Sequence, residues 1–416
     1  MTENKVYDAV VVGGGPAGAT AANDLAQAGS NVVLLDRAGR IKPCGGAIPP
    51  QLIREFDIPM SLLCAQIGAA RIISPSDRRV NMPIEGGFVG MVNRETFDEY
   101  LRDRAAENGA ERRTGTFSHI TRDSDGLPVV HYNAGNKDGE ARQVKARLVV
   151  GADGARSQVA KQQVPGGDKV KCVYAYHEIV DIPENSEGRF DYDGKRCDVV
   201  YNGKISPDFY GWVFPHGSTA SVGTGSAQKG FGLRAAVEDL RKSTGLDRTE
   251  TVRREGAPIP MQPLKRWENG KDVILAGDAA GVVAPSSGEG IYYAMTCGRI
   301  SAEAGEAFLA TGNPRQLKRA RRKFMWAHGQ VFWVLGMMQW FWYTTDKRRE
   351  RFVSICADED VQKLTWEAYM NKKLVRARPA AHARIFFKDM AHILGLIDPT
   401  TGARDAKQPK ELSPSN

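Results

Sequence analysis

Three glycines near the start of the chain have the spacing of a nucleotide-binding turn. Gly13, Gly15 and Gly18 follow an apolar run and precede a helical pattern, and Asp36 closes the next apolar run. The first glycine permits a sharp turn, the second lets the backbone approach a pyrophosphate, and the third lets the helix pack closely on a sheet. A carboxylate at the position of Asp36 can accept hydrogen bonds from an adenosine ribose. We therefore predict a dinucleotide site, with its phosphates at the helix N-terminus.

Two later turns combine glycine with an acid at the end of an apolar run. Asp153 lies in the turn 151–157, Gly-Ala-Asp-Gly-Ala-Arg-Ser, and Asp278 lies in the turn 277–281, Gly-Asp-Ala-Ala-Gly. Such turns suit phosphate or ribityl contacts, but plain connections between a strand and a helix share the pattern. After the second turn, residues 285–291 open a helix with small residues and free amides, which can stabilise negative charge on a reduced flavin ring.

Two single residues have open interpretations. Cys44 lies on a loop rich in glycine and proline, residues 40–50, directly after the predicted nucleotide unit. A lone cysteine is more often a small buried hydrophobe than a reactive group, although this position favours a functional role. Arg94 starts an amphipathic helix, where it is either a solvated charge or a group that reaches the cofactor. Its spacing does not decide between the two.

Aromatic side chains alternate in the segment 207–215. Tyr210, Trp212 and Phe214 share one face of the predicted strand, because the side chains of a strand alternate with period two. Ordinary core packing explains such a stripe, and so does the wall of a cavity for a long apolar ligand.

Composition narrows the class of protein. The 416 residues predict two or three domains. The six scattered cysteines fit a reducing compartment and predict neither a disulfide framework nor a metal site. The first strand begins within the first few residues, so we expect no targeting peptide.

The net charge of +8 is concentrated around an aromatic segment near the C-terminus. Basic clusters at 315–323 and 347–351 flank residues 324–343, which hold four of the seven tryptophans. His328 and two glutamines within this segment make a membrane-spanning helix unfavourable. The segment is therefore interpreted as a helix at an anionic membrane surface, the lining of a lipid tunnel, or a core helix. No nucleic-acid recognition module accompanies the charge, so we predict no nucleic-acid binding.

Together these motifs resemble those of the FAD-dependent enzymes that share the para-hydroxybenzoate hydroxylase fold. The loop Lys-Pro-Cys-Gly-Gly-Ala-Ile-Pro at 42–49 and the pattern Pro-x-x-Tyr-x-Trp-x-Phe-Pro at 207–215 are similar to those of the geranylgeranyl reductases. Residues 284–291 and 356–359 resemble the chlorophyll and bacteriochlorophyll branch of that family. The resemblance covers about residues 5–395.

The resemblance implies a mixed α/β fold with three parts. A Rossmann-type FAD-binding domain would comprise residues 1–70, 93–170 and 255–310, interleaved with an antiparallel-sheet substrate domain at 71–92 and 171–254. A helical C-terminal domain would cover 311–400, followed by a disordered tail at 401–416.

The functional positions of the family map onto this sequence residue by residue. The implied FAD contacts are Gly13, Gly15, Pro16, Ala17, Gly18, Asp36, Arg37, Cys44, Gly45, Gly46, Ala47, Arg94, Asp153, Gly277, Asp278, Gly288, Gly290 and Ile291. The implied substrate contacts are Tyr210, Trp212, Phe214 and Pro215. Cys44 and Tyr210 are the candidate catalytic residues, and a bound water is a third candidate for the proton donor.

The implied activity is the FAD-dependent reduction of isolated double bonds in a geranylgeranyl chain, with NADPH as electron donor, in chlorophyll or bacteriochlorophyll biosynthesis. An isolated alkene has no carbonyl to activate it, so a closed apolar cavity must orient it and exclude water. The substrate is either an esterified pigment or the free diphosphate. The alternative functions are a flavin monooxygenase and a non-enzymatic flavin-bound pigment carrier. The implied setting is peripheral, on the cytoplasmic side of the photosynthetic membrane, with a (bacterio)chlorophyll synthase as candidate partner.

Overall fold

The computed structural model describes residues 5–37, 41–182 and 191–372. The strands are β1 (Val6–Val12), β2 (Val32–Asp36), β3 (Ala47–Ile48), β4 (Leu63–Ile67), β5 (Ala69–Ile73), β6 (Arg79–Pro83), β7 (Val89–Val92), β8 (Glu111–Arg122), β9 (Pro128–Ala134), β10 (Ala141–Gly151), β11 (Cys172–Asp181), β12 (Arg196–Val200), β13 (Gly211–His216), β14 (Thr219–Ser226), β15 (Thr251–Pro260) and β16 (Val273–Leu275). The helices are α1 (Pro16–Gln27), α2 (Pro50–Glu55), α3 (Arg94–Glu107), α4 (Gln158–Gln163), α5 (Leu233–Thr244), α6 (Ile291–Thr311), α7 (Lys318–Trp342), α8 (Asp346–Ile355) and α9 (Glu359–Asn371). The expected tail at 401–416, and the expected helical domain beyond residue 372, lie outside the described residues.

A parallel sheet forms the core of the nucleotide-binding part. Its strands lie in the order β8, β2, β1, β10 and β16, and β9 pairs antiparallel with the far halves of β8 and β10. Helices α1 and α6 pack against each other beside this sheet. Because the carboxyl ends of parallel strands meet at one edge, the glycine turn after β1, Asp36, Asp153 and Asp278 all lie along that edge.

A seven-stranded sheet forms the second part, in the order β15, β11, β14, β13, β12, β5 and β6. Its neighbouring strands are antiparallel except β12 and β5, which run parallel. Two of the expected domain boundaries fall inside its strands: the one at 254/255 cuts β15, and the one at 70/71 cuts β5. Since β15 pairs with β11 along its whole length, residues up to Pro260 belong to this sheet.

A small antiparallel sheet joins the two parts. Strand β7 lies between β3 and β4, and β3 follows the Cys44 loop directly. The backbone N–H of Val92 donates to the carbonyl of Gly46, 2.9 Å away, so the end of the loop is fixed to β7.

The C-terminal helices complete the described part of the chain. Helix α7 contains most of the aromatic segment predicted from the sequence; it buries Phe324 and Phe332 in the core and exposes Trp326, Trp333 and Trp340. The core-helix interpretation therefore applies to one face of α7 only. None of the helices formed by the described residues combines the length and the apolar composition needed to cross a bilayer.

Candidate active site

The glycine turn after β1 has the shape that the sequence predicts. Gly13 has φ of +105°, and a Cβ there would lie 2.4 Å from the carbonyl oxygen of Ala152. A Cβ on Gly18 would lie 1.8 Å from the carbonyl oxygen of Gly13, so helix and turn are in direct contact. A Cβ on Gly15, the residue before α1, would meet nothing within 4 Å. The space in front of the helix N-terminus is thus open, as a bound pyrophosphate requires, and these residues fit FAD.

Asp36 lies at the end of β2 beside a residue that the sequence analysis missed. Nη1 of Arg102, from α3, donates to Asp36 Oδ2 at 3.2 Å and to the carbonyl oxygen of Gly14 at 3.1 Å. Arg102 thereby ties the acid to the glycine turn, and its position 66 residues along the chain gave no sequence signal. Arg37, the next residue after Asp36, is exposed.

The two later acids have different partners. Asp153 accepts hydrogen bonds from the Ser157 hydroxyl and from the backbone N–H groups of Gln158 and Val159, at the start of α4. Both of its oxygens are engaged within the turn, so this geometry does not support the predicted contact with the cofactor. Asp278 is buried and forms an ion pair with Lys42 at 2.5 Å, which links the turn after β16 to the Cys44 loop.

Helix α6 packs closely against α1 because Gly298 has no side chain. A Cβ on Gly298 would lie 2.2 Å from the carbonyl oxygen of Ala17, so α6 touches the backbone of α1. This contact places Gly288, Gly290 and Ile291, which precede or begin α6, on the cavity wall together with Pro16. Gly298 was not among the predicted residues, although a glycine inside a helical run is the kind of signal that marks such a contact.

Arg94 is buried and faces the Cys44 loop. Its Nε and Nη2 donate to the carboxylate of Asp98 at 2.8 Å and 2.6 Å, and its guanidinium also contacts Cys44. Burial by itself lowers the pKa of Arg94, but its interactions with the Asp98 carboxylate and with Cys44 outweigh burial and raise the pKa overall. Of the two interpretations left open by the sequence, a solvated surface charge is wrong, and Arg94 is a fixed cation beside the thiol.

His216 holds the Cys44 loop from the side of the large sheet. Its Nε2–H donates to the carbonyl oxygen of Gly45 at 3.1 Å. Burial lowers the pKa of His216 to about 4, so the imidazole is neutral at physiological pH. The backbone N–H of Gly46 points at Cys44 Sγ, 3.4 Å away. These contacts fix the position of the thiol from two sides.

A cavity of about 790 Å³ lies between the Cys44 loop, the aromatic face of β13, and helices α7 to α9. Tyr210, Trp212 and Phe214 line it, as predicted for one face of a strand, whereas Pro215 lies on the opposite face and does not. The Tyr210 hydroxyl donates to the carbonyl oxygen of Ser287 at 2.5 Å, and burial raises the pKa of Tyr210, so its phenol is a weak acid. The rest of the wall is mostly apolar. Strands contribute residues such as Ile72 and Met82, and the C-terminal helices contribute residues such as Val334, Met338 and Leu364.

The charged side chains that line this cavity are paired. Among the described lining residues the cations are Lys42, Arg94 and Lys372. Lys42 pairs with Asp278, Arg94 with Asp98, and Lys372 with Glu289, and in the last pair both side chains are buried. The cavity therefore presents little net charge to a ligand.

Comparison with known proteins supports the nucleotide-binding site and the reductase resemblance described above. Residues 65–180 match the family described as FAD binding domain, and residues 7–62 match the family described as pyridine nucleotide-disulphide oxidoreductase. The geranylgeranyl diphosphate reductase of Rhodobacter capsulatus is 58% identical over 393 residues, which cover 94% of this chain and 99% of the relative. The chloroplastic geranylgeranyl diphosphate reductase of Oryza sativa is 38% identical, over 89% of this chain and 82% of the relative.

Solved structures share the fold at low sequence identity. A geranylgeranyl bacteriochlorophyll reductase-like protein from Thermoplasma acidophilum superposes with a TM-score of 0.77 at 20% identity, covering 91% of this chain and 99% of that one. A flavin-dependent brominase superposes with a TM-score of 0.68 at 17% identity, covering 93% of this chain and 100% of that one. These structures establish the FAD-dependent fold, and the close relatives establish the family: the chain belongs to the geranylgeranyl reductases.

Proposed function

We propose that this protein is an FAD-dependent reductase that adds two hydrogens to each of several isolated double bonds in a geranylgeranyl chain, and so makes a phytyl chain for (bacterio)chlorophyll. NADPH is the proposed source of electrons. The observation that carries the proposal is the cavity of about 790 Å³, whose mostly apolar wall meets both the nucleotide cradle and Cys44. Its volume lies within the range of about 300–1,000 Å³ that is typical of sites for small organic ligands.

The residues that would hold FAD come from three separate segments. Gly13, Gly15 and the start of α1 would bind the pyrophosphate, and Asp36 would accept from the ribose. The turn at Asp278 and the residues before α6 would lie along the flavin. When bound and reduced, FAD would supply the hydride that one alkene carbon receives.

The side chains around the cavity would do the rest of the chemistry. The apolar wall would hold the chain against the cradle and exclude water, which contributes to rate through orientation. Cys44 would give a proton to the second alkene carbon, and the guanidinium of Arg94 would stabilise the thiolate left behind. Tyr210 is the weaker candidate, because burial raises its pKa and its hydroxyl already donates a hydrogen bond to the Ser287 carbonyl oxygen.

The pairing of charges favours a substrate whose head group stays outside the cavity. A free diphosphate carries several negative charges and needs unpaired cations, and the three cations among the described lining residues are already bound by carboxylates. Separating the buried Arg94–Asp98 or Lys372–Glu289 pair leaves an uncompensated charge, which typically costs about 3–5 kcal/mol. We therefore propose that the esterified pigment is the preferred substrate.

The decisive experiment is anaerobic incubation of the FAD-loaded protein with NADPH and either geranylgeranyl (bacterio)chlorophyll or geranylgeranyl diphosphate. Mass spectrometry should show a gain of two hydrogens per reduced bond, and a higher kcat/KM for the pigment. A product that requires oxygen and is heavier by one oxygen atom would identify a monooxygenase. A reduced flavoprotein that binds the pigment without reducing it would identify a carrier.

Cys44 can be tested separately from FAD binding. Cys44→Ala should keep full flavin content and lose at least about 100-fold in kcat, the usual range for losing a general acid. Wild-type turnover in this variant would remove Cys44 from the mechanism and leave Tyr210 or a bound water as the donor.

We also propose that α7 rests on an anionic membrane surface, peripherally and on its cytoplasmic side. Trp326, Trp333 and Trp340 are 89%, 68% and 72% exposed and repeat every seven residues, so they form one stripe. The exposed Arg319 and Arg322 lie one to two turns before this stripe and suit anionic lipid headgroups. The opposite face of α7 lines the cavity, so a substrate in the membrane would lie beside its binding site. A (bacterio)chlorophyll synthase in the same membrane is the proposed partner.

Vesicle flotation tests this contact. Replacing the three tryptophans with glutamine should abolish flotation with vesicles that contain phosphatidylglycerol at a salt concentration that screens the basic residues. Tyr174→Gln with Val252→Gln, which removes two exposed apolar residues of the large sheet, should leave flotation unchanged. Flotation of the triple variant at the wild-type level would contradict the proposal, as would a wild-type dimer that dissociates when the tryptophans are removed.

A further inference from the structure

A row of polar residues crosses the large sheet beside the cavity. Glu255 on β15 lies opposite His177 on β11, which lies opposite Gly223 on β14, which lies opposite Trp212 on β13. His177 and Trp212 line the main cavity, and His177 is 3% exposed. A buried imidazole on the wall of an otherwise apolar cavity has no part in the chemistry described above.

Hydrogen bonds connect this row and fix the position of its proton. Trp212 Nε1–H donates to Ser221 Oγ at 3.0 Å, which leaves the hydroxyl proton of Ser221 free to donate to His177 Nδ1 at 2.8 Å. The imidazole proton is then on Nε2, which faces Glu255 Oε2 at 3.0 Å. The order serine, histidine, glutamate resembles that of a hydrolase, but Ser221 is fully buried and already accepts from Trp212, so it is no nucleophile.

A close approach makes this arrangement possible. A Cβ on Gly223 would lie 2.3 Å from the indole of Trp212 and 2.5 Å from Cβ of His177. Only glycine lets the indole lie across β14 and reach Ser221.

Glu255 continues the row toward Cys44. A second, small cavity of about 30 Å³ is bounded by polar groups that include Cys44, Arg94, His216, Arg253 and Glu255. It is large enough for one water molecule with several polar partners. The side chain of Glu255 is 11% exposed, whereas its ion-pair partner Arg253 is 39% exposed, so Arg253 marks the solvent side.

We propose that the His177–Glu255 pair returns a proton to Cys44 after each double bond is reduced. The proposal rests on the function proposed above and on Cys44 as proton donor. For each bond, reduced FAD when bound would supply the hydride that one carbon receives, and Cys44 would give its thiol proton to the other carbon. A solvent proton that enters at Arg253 is first taken up by the His177–Glu255 pair, which then carries one proton more than neutral imidazole and carboxylate. The Cys44 thiolate takes a proton from a water in the small cavity while the pair gives its extra proton to that water, and the pair returns to neutral imidazole and carboxylate. The net uptake is one solvent proton per bond.

The test separates one turnover from many. Glu255→Gln keeps the size of the side chain and an oxygen that can accept from His177, but it cannot ionise. In the pre-reduced, FAD-loaded protein, this variant should reduce the first double bond at the wild-type rate, because Cys44 already carries its proton. Later reductions with excess NADPH should slow about 10-fold or more, and the ultraviolet absorbance of the thiolate should persist after the first turnover.

A matched control lies on β11, the strand that carries His177, but on its other face. Glu178 follows His177, forms a buried ion pair with Arg241 and does not line the cavity, so Glu178→Gln should leave both rates unchanged. Imidazole or formate should restore the later turnovers of Glu255→Ala. Glu255→Gln with unchanged later turnovers, or with first and later turnovers slowed equally, would overturn the relay. A wild-type protein that reduces no double bond would instead overturn the proposed function.

Discussion

The role of each reactive side chain near the cavity depends on its partner in the fold rather than on its own sequence motif. Asp153 and Asp278 lie in similar glycine turns. Asp153 accepts hydrogen bonds only from its own turn and the start of α4 among the described residues, whereas Asp278 forms an ion pair with Lys42. Sequence could place both acids at strand ends, because glycine and aspartate after an apolar run indicate such a turn. It could not tell them apart, because their partners depend on distant segments.

Removing the Tyr210 hydroxyl should have a small effect on chemistry. Tyr210→Phe leaves the Ser287 carbonyl without its donor, which typically costs about 1 kcal/mol of stability. We expect kcat within about threefold of the wild type, against the large loss for Cys44→Ala. Stopped-flow reduction of the pigment measures both variants, and Tyr201→Phe, which removes another buried cavity hydroxyl, is the control. A large loss for Tyr210→Phe together with wild-type kcat for Cys44→Ala would make Tyr210 the donor.

His216 should make the protein less stable in acid. Its pKa is about 4 in the folded protein against an ordinary value of 6.5, so below pH 6.5 the unfolded chain takes up a proton that the folded chain refuses. Stability from this group is complete above pH 6.5 and falls as the pH decreases toward 4.

Urea unfolding measures this contribution. Between pH 7 and pH 5 the wild type should lose about 2 kcal/mol more than His216→Gln, whose amide can still donate to Gly45. Other titrating groups are common to both proteins and cancel in the difference. Equal losses in the two proteins would show that His216 accepts a proton while folded.

At the scale of elements, periodic patterns were predictable and close approaches were not. The alternation in β13 correctly placed Tyr210, Trp212 and Phe214 on one cavity wall. The expected domain boundary at 254/255 falls inside β15, because mixed polar and apolar residues on a half-exposed strand give a weak pattern. The contact between α1 and α6 depends on Gly298, whose meaning appears only when the two helices are seen together.

Gly298→Ala should lower FAD affinity although alanine is the better helix former. Alanine favours a helix over glycine by about 1 kcal/mol, but its Cβ would lie 2.2 Å from the Ala17 carbonyl oxygen and would push α6 away from α1. Overpacking of this kind typically costs about 1–3 kcal/mol. Flavin content after gel filtration should fall, whereas Gly68→Ala, which meets no atom within 4 Å, should retain it. Full flavin content in Gly298→Ala would show that the helices can separate without loss.

At the scale of the whole molecule, the cavity exists only because three parts of the chain meet. The nucleotide sheet and the aromatic strand could be predicted from motifs. For α7, the lining of a lipid tunnel was one of the interpretations that the sequence left open, because this helix carries aromatic side chains on both its buried and its exposed sides. The wall formed by α8 and α9 could not be predicted, because these helices carry no motif for the surface they cover.

Membrane attachment through α7 should have two components that salt separates. Basic residues attract anionic headgroups over about 10 Å at 0.1 M salt, whereas burial of tryptophan in the interface is insensitive to salt. Raising the salt concentration should weaken flotation of the wild type only in part. Arg319→Gln with Arg322→Gln should remove the salt-dependent part and keep the rest. Complete release of the wild type by salt would mean that the exposed tryptophans do not enter the interface.

The strands of the nucleotide-binding sheet are far apart in sequence, and this limits when FAD can bind during synthesis of the chain. Strand β1 leaves the ribosome first, but β16 and α6, which complete its cradle, follow about 260 residues later. At typical rates of translation this delay is on the order of tens of seconds. Once β10 has been made, its edge that β16 will cover remains an unpaired strand edge until β16 follows, open to pairing with other chains. Flavin therefore cannot be captured by the nascent N-terminal segment alone, and its supply matters only once nearly three quarters of the chain has been made.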